Sequence, residues 1–249
     1  PGVIFLSEAF TRPKMMKALA KIGFTQSYTY FTWRSTKSEL SSYMAELTRY
    51  PEREYFRPNF FVNTPDILPY HLQGGEPWMF KSRVALAALL SSSYGVYSGY
   101  ELLEHAPIPG KEEYLDSEKY EIKVRDWDKP GNIKGYIGML NQFRRENPAL
   151  QQTSDYRPLP IDDDHVMGFL KESPLHGNAV AGVVSLTGYG PREFWLHFGD
   201  LEIGPPADRR RVTRVEDLRT GEQHQLEWGG LRLRMDPWHE PAIVFRCHA

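Results

Sequence analysis

The sequence predicts an α/β segment followed by an all-β domain. In residues 1–149, short apolar runs alternate with stretches of helical periodicity, as in parallel βαβ units. Four such units occur there, whereas a closed (β/α)8 barrel takes about 250 residues. From residue 150 onward only short strand-like runs remain, separated by Gly, Pro and Asp. We therefore expect residues 1–149 to be the second half of a (β/α)8 TIM barrel and residues 150–249 to be an antiparallel β-sandwich domain.

The first unit consists of a strand, an acid and a helix. Residues 3–6 form a continuous apolar run, which is typical of a parallel strand buried on both faces. Glu8 follows this run, and Pro13 opens a helix that is predicted to end at Gly23. The stripe of that helix is Met15, Leu19 and Ile22.

The next two units show equally clear signals. An apolar-aromatic run at 28–31 precedes Thr36 and Glu39, whose spacing predicts a capping box. The helix that follows has an apolar stripe at residues 40, 43, 44 and 47, and residues 59–62 form the third strand. A helix over 78–93 is apolar nearly all round and is therefore predicted to be buried.

The fourth unit contains a long polar loop. Its strand is predicted to begin at Val96 and Tyr97 and to run toward residues 100–101. Residues 105–131 show no period and are too long for an ordinary connection, which favours a functional loop. The last helix carries apolar residues at 133, 137, 140 and 143 and ends at Asn147-Pro148.

The β domain is predicted from six runs and one turn. Thr220-Gly221 is expected in a hairpin turn. The six strand-like runs are residues 166–170, 179–186, 194–198, 212–215, 231–235 and 243–245.

Composition narrows the classes of function. A net charge of −2 with 25% charged residues argues against nucleic acid or an anionic membrane as the main partner. The single cysteine, Cys247, excludes an internal disulfide framework and a cysteine-based metal site, and it fits a reducing, cytoplasmic compartment. No apolar stretch is long enough to span a membrane, and we expect no metal or other cofactor. The sequence begins inside a predicted core strand without Met, which we interpret as a cut.

Two acids stand at the carboxyl ends of alternate strands. Glu8 follows the first strand and Asp66 the third, and barrel geometry brings such ends together over the mouth. Glycoside chemistry uses a carboxylic acid at the leaving oxygen and a second carboxylate near the anomeric carbon. Simpler roles stay open at this point: Glu8 as a cap or ion-pair partner in a loop, and Asp66 as the start of a turn.

Four segments lie in order along the chain: residues 5–13 (FLSEAFTRP), 28–34 (YTYFTWR), 61–67 (FVNTPDI) and 114–120 (YLDSEKY). Together they closely resemble the α-1,4-glucan:maltose-1-phosphate maltosyltransferases of the α-amylase family. The resemblance extends to Asp236-Pro237-Trp238 and so covers the whole chain. Ordinary α-amylases usually carry His before the acid that matches Asp66, whereas Pro65 stands here, which favours the maltosyltransferase branch.

The resemblance implies a retaining, two-step maltosyl transfer from α-maltose 1-phosphate to an α-1,4-glucan. Glu8 matches the general acid/base, and Asp66 matches the carboxylate that holds the reacting sugar and stabilises the transition state. Lys119 and Tyr120 match positions that contact the far glucose of the maltosyl unit. Without this match, a loop lysine is more simply a solvated residue. The family also suggests a homodimer.

Several side chains near the predicted mouth have two interpretations. Arg12 and Arg34 are candidates for contact with phosphate or a carboxylate, and equally for pairing with structural acids. Trp33 and Trp127 are candidate sugar platforms, although core packing is the commoner role of tryptophan.

One part of the family pattern is missing from these 249 residues. The nucleophilic Asp and most phosphate-binding residues belong to the earlier half of the barrel, so we expect the isolated chain to be inactive. Two rival functions stay open: an α-glucan hydrolase of the same fold, and a non-catalytic α-glucan-binding protein.

Overall fold

The computed structural model describes residues 2–117 and 122–249. Its first part alternates strands and helices, as predicted from the periodicity. The strands there are β1 (Leu6–Ser7), β2 (Gln26–Tyr28), β3 (Pro58–Phe61) and β4 (Ser93–Gly95). The helices are α1 (Pro13–Lys21), α2 (Lys37–Thr48), α3 (Glu52–Tyr55), α4 (Pro77–Leu90) and α5 (Lys134–Glu146).

The four strands form one parallel sheet in the order β1-β2-β3-β4. Ser7 pairs with Ser27, Tyr28 with Asn59, and Phe61 with Gly95. The parallel α/β segment predicted from the sequence is thus confirmed. The fourth strand is the exception, because it ends at Gly95 and the segment predicted to begin it at Val96 lies beyond the sheet.

The prediction of a first strand buried on both faces was wrong. Val3, Ile4, Phe5 and Leu6 are 74, 65, 57 and 48% exposed. The physical reason is that β1 is an edge of the sheet and pairs only with β2 in the described residues. The helix after it shows the same effect, since Met15 and Ile22 of the predicted stripe are exposed whereas Met16 and Ala20 are buried.

The helix boundaries otherwise follow the local signals. Thr36 accepts a hydrogen bond from the Glu39 amide (3.2 Å), and the Glu39 carboxylate accepts one from the Thr36 amide (3.0 Å), so the capping box is present. The predicted stripe of α2 is buried at residues 40, 43, 44 and 47. Gly23 has a φ of 115° just after α1, which is the left-handed conformation that favours glycine there.

The strands after α5 are antiparallel, as predicted for the C-terminal part of the chain. The first five of these strands are β5 (Tyr156–Leu159), β6 (Val166–Ser173), β7 (Asn178–Ser185), β8 (Arg192–His197) and β9 (Glu202–Ile203). The others are β10 (Arg210–Arg211), β11 (Arg214–Asp217), β12 (Gln223–Gln225), β13 (Gly230–Met235) and β14 (Ala242–His248). One sheet has the order β12-β11-β14-β7-β6-β5, and β13-β8 and β10-β9 are two-stranded. The Thr220-Gly221 turn connects β11 to β12, as predicted.

The two parts share a continuous core. Helix α4 is buried on all sides, as predicted, and Leu86 and Leu90 belong to the same buried cluster as Phe169 and Val184 of the β domain. A second cluster fills the β domain itself, and it contains Cys247, whose burial raises the pKa of its thiol to about 12. Within the described residues no helix is long and apolar enough to cross a membrane.

The carboxyl end of α4 is held by two basic side chains. Lys171 on β6 is fully buried and donates to the carbonyls of Leu90 (3.1 Å) and Gln152. Arg144 on α5 donates to the carbonyls of Ser91 (2.8 Å) and Ser92 (2.7 Å). These bonds satisfy carbonyls that a helix end would otherwise leave without partners.

Candidate active site at the carboxyl ends of the parallel strands

Asp66 lies in a tight turn that follows β3. Thr64 and Ile67 exchange backbone hydrogen bonds of 3.0 and 3.2 Å, which leaves Pro65 and Asp66 at the tip. The Asp66 amide donates to the Thr64 hydroxyl (3.2 Å), and both tip residues are exposed. The sequence left open whether Asp66 begins a turn or acts as an acid at the strand end, and the structure places it in a turn at that end.

Glu8 follows β1 directly and is exposed at the same end of the sheet. Burial raises the pKa of the Tyr28 phenol at the end of β2, and the negative charge of Glu8 adds to this effect. The Tyr28 ring in turn packs on the Phe61 ring at the end of β3, with centroids 4.2 Å apart. These two rings form an aromatic floor between the end of β1 and the end of β3.

The floor depends on a glycine in β4. Phe61 pairs with Gly95, and a Cβ built on Gly95 would lie 2.3 Å from two atoms of the Phe61 ring. Because the ring covers that position, any side chain at residue 95 displaces it, and with it the ring of Tyr28.

We predict that Gly95→Ala destabilises the chain by about 1–3 kcal/mol, the usual cost of overpacking. Gly138→Ala in α5 is the matched control, since a Cβ there has nothing within 4 Å and Ala favours a helix. Urea unfolding of the two variants checks this. Equal or higher stability of Gly95→Ala would show that the floor is not packed as described.

Asn63 connects this strand end to two neighbouring loops. Its side-chain amide donates to the Tyr114 hydroxyl (2.7 Å), and its carbonyl oxygen accepts the Tyr97 amide (2.9 Å). Asn63 and Tyr114 are buried, and burial raises the pKa of the Tyr114 phenol. Asn63 therefore fixes the loop after β4 and the long loop relative to the Asp66 turn.

Glu112 of the long loop makes a second connection. One carboxylate oxygen accepts the indole N–H of Trp33 (3.1 Å) and the other accepts the Tyr70 amide (3.0 Å). The Glu112 carbonyl also accepts the Leu68 amide, two residues after Asp66 (2.8 Å). The long loop is thus tied to the segments after β2 and β3, which supports its interpretation as part of the site.

The other half of the loop carries a charged group. Glu104 pairs with Lys123 (3.1 Å) and Arg125 (2.9 Å), and the Arg125 guanidinium lies 5.8 Å from the Tyr97 ring centroid. No sequence signal indicated Glu104 or Glu112, because both lie in or beside a stretch that has neither helical nor strand periodicity. Two predicted substrate-binding residues, Lys119 and Tyr120, lie outside the described residues.

The less specific candidates divide between the two interpretations. Trp33 is half-buried, donates to Glu112 and packs edge-on against Phe10 (5.2 Å), so its indole holds loops together. Arg34 lies over the Tyr43 ring (5.7 Å) beside α2. Arg12 is the exposed residue before α1, and Trp127 is 44% exposed.

The arrangement can perform acid–base chemistry on a ligand that spans the strand ends. Two exposed carboxylates follow the ends of β1 and β3, the Tyr28–Phe61 ring pair lies at the ends of β2 and β3, and hydrogen bonds fix the surrounding loops. In residues 2–117 and 122–249, no group of three or more His, Cys, Asp or Glu side chains could hold a metal ion.

The sequence is similar to known transferases over its full length. A family model described as "GLGE, C-terminal" matches residues 159–247. The α-1,4-glucan:maltose-1-phosphate maltosyltransferase of Chlorobaculum tepidum is 51% identical over 257 residues, which cover 100% of this chain and 38% of the relative. The Rhodospirillum rubrum protein of the same name is 49% identical, over 99% of this chain and 36% of the relative. The chain therefore spans less than two fifths of the length of these relatives.

Solved structures share the fold. An α-amylase from Geobacillus thermoleovorans, complexed with acarbose, superimposes with a TM-score of 0.72 at 13% identity, over 99% of this chain and 53% of that chain. An Anoxybacillus α-amylase gives 0.70 at 14% identity, over 98% and 52%. The predicted fold class, half of a (β/α)8 barrel followed by an antiparallel β domain, is thereby confirmed.

Proposed function

We propose that this chain, which belongs to the α-1,4-glucan:maltose-1-phosphate maltosyltransferase family, supplies two of the carboxylates of a retaining maltosyl transfer. It corresponds to a C-terminal portion of the members of that family. The donor is α-maltose 1-phosphate, and the acceptor is the non-reducing end of an α-1,4-glucan. The domains of this proposal are residues 1–149 as the second half of the catalytic barrel and 150–249 as the C-terminal β domain.

Glu8 acts as the general acid and then as the general base. In the first step it donates its proton to the departing phosphate oxygen while a carboxylate nucleophile bonds to the anomeric carbon. In the second step it accepts the proton of the acceptor's 4-hydroxyl, whose oxygen replaces the nucleophile on that carbon. The nucleophile is the family's Asp, which we expect upstream of Pro1.

Asp66 holds hydroxyls of the reacting ring and stabilises the charge that develops on it. Lys119 and Tyr120 contact the far glucose of the maltosyl unit and so select a disaccharide donor. The proposed reaction uses no cofactor. The proposed full-length enzyme is a cytoplasmic homodimer.

The observation that supports this proposal most is that Glu8 and Asp66 follow the carboxyl ends of β1 and β3, two parallel strands of one sheet. Acids on alternate strands of such a sheet can reach one ligand from two sides.

We predict that the 249-residue chain releases no phosphate from α-maltose 1-phosphate and maltoheptaose. Joined to the N-terminal portion of the Chlorobaculum tepidum enzyme, it should lengthen the glucan by two glucose units, because the junction supplies the nucleophile. Phosphate assay and mass analysis of the glucan check both outcomes. Robust phosphate release by the chain alone would contradict the division of the active site proposed here.

The same experiment separates the rival functions. Free maltose as the main product of the joined protein would favour an α-glucan hydrolase, in which water takes the place of the acceptor hydroxyl. A folded joined protein that binds glucan without any turnover would favour a non-catalytic binding protein.

A further inference from the structure

The loop that carries Glu8 has little support from the sheet. Strand β1 has two residues, pairs only with β2 in the described part of the chain, and ends at Ser7. Residues 8–12 then lead to α1, and within them the Thr11 amide donates to the Ala9 carbonyl (2.8 Å). A general acid must be held within hydrogen-bond reach of the leaving oxygen, so other contacts have to fix the position of this loop.

The Phe10 ring supplies two such contacts. It is half-buried, and its centroid lies 5.2 Å from that of Trp33, edge-on, and 5.8 Å from that of Tyr28. Tyr28 is the last residue of β2, and Trp33 is the last residue of the short 3₁₀ helix Tyr30–Trp33 that follows. Phe10 therefore joins the loop after β1 to the end of β2 and to the segment after it.

Tyr30 supplies a third contact. Its hydroxyl donates a hydrogen bond to the carbonyl of Thr11, the residue after Phe10. Its backbone amide donates to the Tyr43 hydroxyl on α2 (3.1 Å), so Tyr30 itself is held from behind. The loop after β1 is thus attached through a ring at Phe10 and through a carbonyl at Thr11.

The 3₁₀ helix on which this loop rests is fixed to the core. Phe31 is fully buried and stacks on Phe60 of β3, with centroids 4.3 Å apart. Arg83 of α4 is buried and donates to the carbonyl of Phe31 and to that of Arg34 (2.6 Å). Because the helix is held from two sides, contacts with it fix the loop of Glu8 as well.

We propose that Phe10 is a positioning residue, which together with Tyr30 holds the Glu8 carboxyl where it reaches the leaving oxygen and the acceptor hydroxyl. This inference rests on the proposed function, which makes Glu8 the acid/base. Phe10 acts on the reaction through Glu8, two residues before it in the same loop. A misplacement of about 1 Å at a reacting group can cost about 10²-fold in rate.

Two donors separate positioning from a general loss of structure. Transfer from α-maltose 1-phosphate uses Glu8 in both steps, whereas α-maltosyl fluoride with azide needs neither an acid nor a base. We use the protein joined to the N-terminal portion of the Chlorobaculum tepidum enzyme. In it, we expect Phe10→Ala to reduce transfer from the phosphate donor about 10–100-fold and to leave consumption of the fluoride with azide within about twofold of wild type.

Tyr30→Phe is the milder variant, because it keeps the ring and removes only the hydroxyl that bonds to Thr11. We expect it to slow the phosphate donor about 3–10-fold, the effect of one hydrogen bond, and to leave the fluoride unaffected. Tyr94→Phe is the matched control, since it loses the same kind of bond, from Tyr94 of β4 to Asn141 of α5 (2.6 Å). It should leave both rates unchanged, and circular dichroism verifies that all three variants are folded.

Three outcomes would overturn the inference. Equal losses on both donors in Phe10→Ala would mean that Phe10 supports the fold or the donor site and not Glu8. Unchanged rates on both donors would mean that Glu8 does not depend on these contacts. A higher KM for maltoheptaose at an unchanged kcat would assign the Phe10 ring to acceptor binding.

Failure of the proposed function gives a different result. A wild-type joined protein that consumes α-maltose 1-phosphate but produces free maltose would contradict maltosyl transfer. The comparison of the two donors would still test Phe10, because hydrolysis needs the same acid at the leaving oxygen. A wild type that consumes neither donor would overturn both.

Discussion

In the protein joined to the N-terminal portion of the Chlorobaculum tepidum enzyme, Glu8→Gln is expected to reduce maltosyl transfer by about 10²–10⁴-fold, the usual contribution of general acid–base catalysis. The amide keeps the shape of the side chain but can neither donate the proton to the phosphate oxygen nor accept one from the acceptor. Glu54→Gln is the matched control, because Glu54 is an exposed acid that precedes β3 and so lies toward the opposite end of the sheet. It should leave the rate unchanged.

Chemical rescue distinguishes an acid/base from a structural carboxylate. α-Maltosyl fluoride carries a leaving group that needs no protonation, and azide is a nucleophile that needs no base. Together they should restore turnover of Glu8→Gln and produce maltosyl azide, whereas Asp66→Asn should stay inactive because its role is to stabilise the transition state. If rescue failed for Glu8→Gln or succeeded equally for Asp66→Asn, the assigned roles would be wrong.

Local signals in the sequence predicted most of the fold. The Thr36–Glu39 capping box joins residues that are close in sequence, so the sequence alone predicts it. The burial of residues 3–6 depends on which strand lies beside β1, and this information is not contained in the run itself. The short strands β5, β9, β10 and β12 were not predicted, because β5 contains Pro158 and the other three have only two or three residues.

The candidate site shows the same division. Glu8 and Asp66 were predicted as site residues because they follow parallel strands, and this prediction does not depend on how the loops fold. Glu112 was not predicted, because its three hydrogen bonds join segments about 40 and 80 residues away in sequence and leave no periodic pattern. The sequence left Trp33 as either a sugar platform or a packing residue. Its hydrogen bond to Glu112 indicates that it holds two loops together.

Stability should rise with pH because of Lys171, the fully buried lysine at the carboxyl end of α4. Burial, together with the charge of Arg144, lowers the pKa of Lys171 from 10.5 to about 7. Between these two values the unfolded chain binds a proton that the folded chain does not, so the free energy of unfolding increases with pH. Below about pH 7 the lysine is protonated in both states, and the full cost of burying the charge remains.

Lys171→Met removes this dependence on pH. Between pH 7 and pH 9.5, we predict that the free energy of unfolding of the wild type rises by roughly 3 kcal/mol relative to that of the variant. The variant loses the hydrogen bonds to Leu90 and Gln152 at every pH. The test is therefore how the difference in free energy of unfolding between wild type and variant changes with pH, and not its value at one pH. The higher pH of the comparison is kept below 10. Above it, tyrosines such as Tyr43 and Tyr136, whose pKa burial raises, lower the free energy of unfolding as the pH increases. Urea unfolding at the two pH values measures the effect, with exposed Lys129→Met as the control. A difference that does not change with pH would mean that Lys171 is charged in the folded chain throughout this range, and that the carbonyls of Leu90 and Gln152 hold an ammonium ion.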